Sequence, residues 1–299
     1  MTYLLVLLIL VGLYIILASS FDLVIGHAGL ISIAHPAFFA IGAYASGLLA
    51  LDLGWPPLVA IPVATLLAAA SSVLVSLPAL RVSGDYLMIA SLGFQLGLIE
   101  LIKNLQFSGG SGGLSNIPPL VKGNVSPLTY AGLVLVSAAV VVWLIRRIMR
   151  SDYGRAVTAL RDDETAAAML GRDPIWIKVW VIALASGIAG YAGALYAHYF
   201  RFVTPEQFDI LQSAALLTMV VVGGIRTTWG PIIGALLLET VPQLITYLNL
   251  PPNILGPAQG LLFTTLVLAF MFFRPSGLVS GSAAWRGSEP LEVVNVRRS

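Results

Sequence analysis

With 299 residues, 58% of them hydrophobic, only 10% charged and a mean hydropathy of +0.92, the chain carries too little charge for a pair of ordinary soluble domains, where roughly 25% of residues are charged. A formal charge of +2, with no basic arm and no interleaving of aromatic and basic residues, gives no reason to expect nucleic acid as a partner. The absence of cysteine excludes disulfides, thiolate catalysis and cysteine metal sites, and His27, His35 and His198 are too scattered to form a metal motif.

A bilayer-crossing helix needs about 20 mostly apolar residues, and a charge near the bilayer centre costs about 2.5–3.5 kcal/mol on insertion scales. By that measure the sequence predicts spans at 3–19, 23–51, 57–80, 86–106, 128–147, 177–200, 211–225, 229–249 and 256–273. The first reads as a retained helix rather than a cleaved signal peptide, because Met1-Thr2-Tyr3 offers no positive n-region. The second is too long for one straight span. It contains Gly26, Gly29, His35 and Pro36 and is expected to be broken, with an irregular first half covered by protein. In the fourth, Glu100 and Lys103 at its outer end are spaced for an i,i+3 ion pair, and Gln95 lies deeper.

Residues 107–127 form a Gly-rich connection that lacks the Lys-Ser/Thr of a phosphate-binding loop. The connection 146–178 is the most charged, and within it Asp152 to Gly171 predicts a short helix with an apolar stripe of Ala156, Leu160, Ala167 and Leu170. Gly171, with Pro174 after it, is its stop signal. Such a stripe suits either a membrane-surface helix or a helix that docks a partner protein. Later spans carry the small-residue run Ser186 to Ala194 and the GxxxG of Gly230 and Gly234, matching that of Gly93 and Gly97, which predicts close helix packing. Glu239, near mid-span and followed by Pro242, is either a structural, hydrogen-bonded carboxyl or part of a solute pathway.

Placing 146–178 in the cytoplasm and alternating outward puts Arg81, Arg146, Arg147, Arg150, Arg155, Arg161, Arg172, Lys178, Arg226, Arg274, Arg286, Arg297 and Arg298 on one side, and only Lys103, Lys122 and Arg201 elsewhere. The expected fold is therefore an all-α polytopic transmembrane helical bundle of about nine spans. Its N-terminus lies outside and its C-terminus inside. Residues 1–278 form the membrane domain, 149–176 a cytoplasmic loop within it, and 279–299 a disordered cytoplasmic tail.

Ala166, Ala167 and Gly171 resemble the EAA motif of ABC-importer permeases, with Thr165 in the Glu position and Glu164 just before it. The stretch Ser151 to Gly171 is similar to the cytoplasmic loop of LivM-type permeases, which serve branched-chain amino acid ABC transporters and their urea and short-chain amide relatives. Further segments resemble that family in order along the chain: Gly26 to Ser32 with His35 and Phe38 to Tyr44, then Ser108 to Leu114, Phe202 to Glu206, Val220 to Gly224 with Trp229 to Pro231, and Phe273 to Leu278. Departures occur at His27 in place of Tyr, at Ala34-His35-Pro36 in place of Gly-His-Ala, at Gly112 where Asp is common and at Ala215 where Glu is common.

The resemblance implies the permease subunit of an ABC importer in the bacterial inner membrane. Its solute would be a small amino acid of the branched-chain class, with urea, a short-chain amide or an aromatic acid as the alternative. It also implies cytoplasmic ATP-binding cassette subunits, a second LivH-like permease subunit and an external solute-binding protein. ATPase docking is expected at Gly154, Arg155, Ala159, Arg161, Glu164, Thr165, Ala166, Ala167 and Gly171, and the solute pathway at Ser32, His35, Gln95 and Glu239. No catalytic residues, cofactor or metal are expected. An ion-coupled secondary transporter would instead show paired midplane charges and inverted repeats, and an intramembrane enzyme would need a catalytic constellation.

Overall fold

The structure, a computed structural model, describes residues 2–79, 85–120, 127–169, 171–244, 252–273 and 277–279. Arg81, Lys122, Leu170, Arg274 and residues 280–299, with the tail arginines Arg286, Arg297 and Arg298, lie outside the described residues. Among the described residues the α-helices run, in order, α1 Thr2–Asp22, α2 His35–Leu51, α3 Pro57–Ala79, α4 Asp85–Asn104, α5 Pro127–Met149, α6 Asp152–Asp162, α7 Glu164–Met169, α8 Pro174–Phe200, α9 Ile210–Gly223, α10 Gly230–Leu244 and α11 Pro252–Phe273.

Five described stretches are long and apolar enough to cross a bilayer: Tyr3–His27, Pro57–Leu74, Tyr86–Asn104, Pro127–Met149 and Pro174–Phe200. The all-α membrane bundle expected from the sequence is therefore present. α2, α9 and α10, at 17, 14 and 15 residues, rise only about 26, 21 and 23 Å, against a hydrocarbon core of about 30 Å. Irregular backbone adjoins two of these short helices. A 3₁₀ turn at Pro205–Phe208, held by a Thr204–Gln207 capping box, leads into α9, and residues 28–34 lead into α2.

α8 is the central element and packs on α2 and α3. Their backbones meet through small residues: a Cβ added at Gly42 would lie 2.0 Å from Gly190 O, and one at Gly193 would lie 2.0 Å from Phe39 O. Without a hydrophobic drive between helices in lipid, this close approach is what holds them together. α1 packs on α5, α9 and α10, and Gly234 brings α10 against Met219 O of α9. The expectation that Gly93 and Gly97 mark a packing seam is not met within the chain, because Cβ atoms there would meet nothing within 4 Å among the described residues.

Where the sequence suggested a span starting at residue 23, α1 instead continues through a π-helical turn at Leu23–His27. The chain then runs irregularly through 28–34, and α2 starts at His35 with Pro36 in its first turn, where a missing N–H costs nothing. The broken region was expected. The break lies after residue 27, and the helical part before it belongs to α1.

At the end of the bundle remote from α6, strand β1 Leu114–Ser115 pairs antiparallel with β2 Phe202–Val203. Gly113 has φ +72°, and a Cβ there would lie 2.0 Å from Val203 O, so the Gly-rich run is a structural closure. His198 reinforces it, with Nε2 2.7 Å from Ser46 Oγ and Nδ1 2.7 Å from Pro118 O. At the α6 end, the N–H groups of Leu278 and Val279 donate to Val222 O and Gly223 O at 2.9 and 3.0 Å. These bonds satisfy carbonyls that α9 cannot pair itself, which accounts for the closing Gly277-Leu278 signature.

Candidate functional site

The predicted helix over 152–171 is two helices. Asp163 adopts an extended conformation (φ −157°, ψ 111°), and its carboxylate accepts from the N–H groups of Thr165 and Ala166 at 2.8 and 3.0 Å. One residue thus ends α6 and caps α7, a role Asp performs by competing for backbone donors. α7 closes on Gly171 at φ +76°, with Gly171 N–H donating to Ala168 O and Arg172 N–H to Ala167 O, the bonding pattern of a Schellman cap. Asp173 and Pro174 then start α8.

The apolar stripe that was expected to meet a partner turns inward. Ala156, Val157 and Leu160 are part of the chain's own core, and Ala167 is buried too. Gly154 is buried where a Cβ would strike Met149 O at 2.2 Å. The outward face of the loop comprises Arg155, Ala159, Glu164, Thr165, Ala166 and Gly171, together with Met169, which is 83% exposed. Arg155 pairs with Asp152. Two contacts tie the loop to α8: Lys178 Nζ lies 2.6 Å from Glu164 Oε1, and Tyr153 donates to Ile177 O at 3.0 Å. Burial in that contact raises the Tyr153 pKa to about 12.

Arg161 departs from the outward set. Its guanidinium donates to Gly26 O, and its Cγ would lie 2.8 Å from a Cβ at Gly29, which has φ +69°. α6 is thereby joined directly to the break between α1 and α2. Burial, then the nearby Arg226, lower the Arg161 pKa from its ordinary value; a guanidinium that begins above about 12 keeps its proton. Beneath Gly26 sits Asp22, 2% exposed, whose Oδ1 accepts from Arg226 N–H at 3.1 Å and whose Oδ2 lies 3.4 Å from His27 Nδ1. A Cβ at Gly26 would fall 1.9 Å from Asp22 Oδ1. Asp22 was not singled out from the sequence because it separates two apolar runs and reads as a loop residue. The available signal was that it is the sole Asp, Glu, Lys or Arg within residues 1–51.

The opposite side of the same break meets α4 and α9. Ile33 N–H donates to Ser91 Oγ at 2.9 Å, and Ser213 Oγ lies 3.0 Å from Ile33 O and 2.8 Å from Gln95 Oε1. Gln95 Nε2 donates to Phe208 O and Asp209 O at 3.2 and 3.0 Å. Gln95 is fully buried in this network, which ties three irregular or helix-terminal segments together. His35 is buried at the same break, with Nε2 2.8 Å from Ser20 Oγ and its ring against Phe21. Ser32 is half-buried, and its Oγ accepts from Ala34 N–H at 3.4 Å. The structure thus gathers Ser32, His35 and Gln95 around 28–34. Glu239 lies apart, on α10 beside Tyr14 of α1. Glu100 and Lys103 make the exposed i,i+3 pair at 3.9 Å.

A family profile described as "Branched-chain amino acid transport system / permease component" matches residues 3–273. The chain is 35% identical over 293 residues to the high-affinity branched-chain amino acid transport system permease protein LivM of Escherichia coli, covering 89% of this chain and 67% of that protein. The LivM of Salmonella typhimurium is 34% identical over the same shares. A probable branched-chain amino acid transport permease protein LivM of Methanocaldococcus jannaschii is 27% identical, over 74% of this chain and 68% of that one. No solved structure matches the chain.

Proposed function

The chain belongs to the branched-chain amino acid transport permease family, and from that premise we propose that it is the permease subunit of an ABC importer in a bacterial inner membrane, translocating a branched-chain amino acid. Nine helices (α1 to α5 and α8 to α11) cross the bilayer in this reading, with the N-terminus outside. The α6–α7 end faces the cytoplasm, as the distribution of Lys and Arg indicates. Separate ATP-binding cassette subunits dock on the outward face of that loop, at Arg155, Ala159, Glu164, Thr165 and Ala166 with Met169 beside them. A second permease subunit completes the channel, and an external binding protein delivers the solute.

The observation that carries this reading is the Arg161–Gly26 hydrogen bond. It links the element that would receive the ATPase to the π-helical turn that ends α1, directly before the irregular stretch 28–34. Such backbone is tolerated where protein or a water-filled cavity covers it, and a broken helix is where transporters change shape around a solute. Displacement of α6 by the ATPase would draw on residues 26–29. The Ser91–Gln95–Ser213 network holds the far side of the same segment at Ile33 and would set the second position.

Proteoliposomes holding the assembled complex provide the test. ATP-dependent leucine uptake that requires both the ATPase subunits and the binding protein is expected. Leucine uptake that proceeds without ATP and follows an ion gradient would overturn the assignment, as would uptake of an aromatic carboxylate with leucine excluded.

A further inference from the structure

At the α6 end, a cleft of about 150 Å³ opens between the last turns of α5, the end of α1 and the turn before α10. Arg146 and Arg150 stand on its α5 side, Thr228 and Thr227 opposite, with Ser19, Asp22 and His27 at its base. Thr227 is spent inside the protein, since its hydroxyl donates to Gly224 O and accepts from Gly230 N–H. The Asp22 carboxylate already faces Arg226 N–H and His27.

Two features of this cleft are unspent. Ser19 Oγ is buried, the residue being 6% exposed, and has no hydrogen-bond partner among the described residues, although buried hydroxyls are nearly always paired. Arg146 and Arg150 are exposed and make no ion pair with any described residue. Two guanidiniums against one carboxylate that is already engaged leave the rim positive, and a buried hydroxyl at the base can donate to an anion's oxygen.

The surroundings say what kind of anion. Trp143, three residues before Arg146 on α5, and Trp229, next to Thr228, are 63% and 61% exposed, and exposed indoles are characteristic of a membrane–water boundary. From Trp143 an exposed apolar strip climbs α5 through Val140 and Val136, at the i, i+3, i+7 spacing of one helix face. A ligand with an anionic head and an apolar tail fits both parts. We propose that this cleft holds the phosphodiester headgroup of an anionic phospholipid, with Arg146, Arg150 and Ser19 Oγ on its oxygens and an acyl chain along Val136, Val140 and Trp143. That the lipid belongs to the cytoplasmic leaflet rests on the orientation proposed above; the site itself rests only on the multi-pass membrane fold. Basic pockets between helices on that side are a known form of lipid recognition.

The test uses the full chain purified in mild detergent and native mass spectrometry with added phosphatidylglycerol, phosphatidylcholine or inorganic phosphate. Phosphatidylglycerol should be retained over phosphatidylcholine, and inorganic phosphate should not displace it. Arg146→Gln with Arg150→Gln should weaken retention about 30-fold, given the usual contribution of each basic residue near an anionic lipid surface. Arg147→Gln, on the same helix but outside the cleft, should leave retention unchanged. Equal retention of the two lipids, displacement by phosphate, or an equal loss in Arg147→Gln would overturn the proposal. Because the double variant could fail to fold, the native chain is also cross-linked with a photoactivatable phosphatidylglycerol. Cross-links should map to residues 136–150 and 227–231, and cross-links confined to other helices would contradict it. Neither readout involves transport, so a failed importer assignment and a failed lipid site give different results.

Discussion

A Cβ at Gly26 would fall 1.9 Å from Asp22 Oδ1, whereas one at Gly93 would meet nothing within 4 Å among the described residues. The two glycines look alike in an apolar sequence, and their roles separate only when the fold brings Asp22 and Arg161 to the first. Gly26→Ala should therefore destabilise the chain by about 1–3 kcal/mol, the usual range for overpacking a filled site. Gly93→Ala should be neutral, or should stabilise by up to about 1 kcal/mol through helix propensity. Thermal unfolding of both variants in detergent checks the contrast, and equal midpoints would contradict the proposed packing of Asp22 against Gly26. The residue scale was also where the sequence was least legible. Gln95 was recognisable as a polar group deep in a span, but its partners, Ile33 through Ser213 and the carbonyls of Phe208 and Asp209, are more than 60 residues away in the chain. Spacing within one helix carries no trace of them.

Elements were read more reliably, because hydrophobic length and stop signals are local. The apolar runs became helices, and Gly171 closed α7 with Gly171 and Arg172 donating back to Ala168 and Ala167. The errors lay where two local rules competed. Asp163 reads as one more charged residue on a helix face, yet its carboxylate captures the Thr165 and Ala166 N–H groups and splits the helix. The stripe of Ala156, Leu160 and Ala167 was correctly seen as apolar, but periodicity cannot say whether such a face meets a partner or its own core. Gly171 at φ +76°, where an added Cβ would meet nothing within 4 Å among the described residues, isolates the backbone contribution. Gly171→Val should lose most co-purifying ATPase, since a β-branched residue in the left-handed region costs about 1–3 kcal/mol. Gly171→Asn, which tolerates that region, should keep most of it. Native-like ATPase retention in the Val variant would show that the cap does not shape the docking face.

For the whole molecule, two polar connections flank one break, between the π-helical turn that ends α1 and the start of α2. Arg161 reaches Gly26 from the loop at one end, and Ser91 and Ser213 hold Ile33 from α4 and α9. Around them α2, α3 and α8 pack by close backbone approach, a frame against which 28–34 runs without regular helical structure. The all-α membrane class was legible in the sequence because lipid imposes it on composition. The connection between α6 and the break was not, since it needs residues 26 and 161 in contact. Its role is measured most directly by Arg161→Met in the reconstituted complex, with ATP hydrolysis and leucine uptake followed together. Methionine keeps an apolar stem near Gly29 and removes the guanidinium. A hydrogen bond to a charged group contributes about 1.5–3 kcal/mol, so uptake per ATP hydrolysed should fall about tenfold or more while the ATPase subunits stay bound and active. Uptake and hydrolysis that remain coupled as in the native complex would contradict the account.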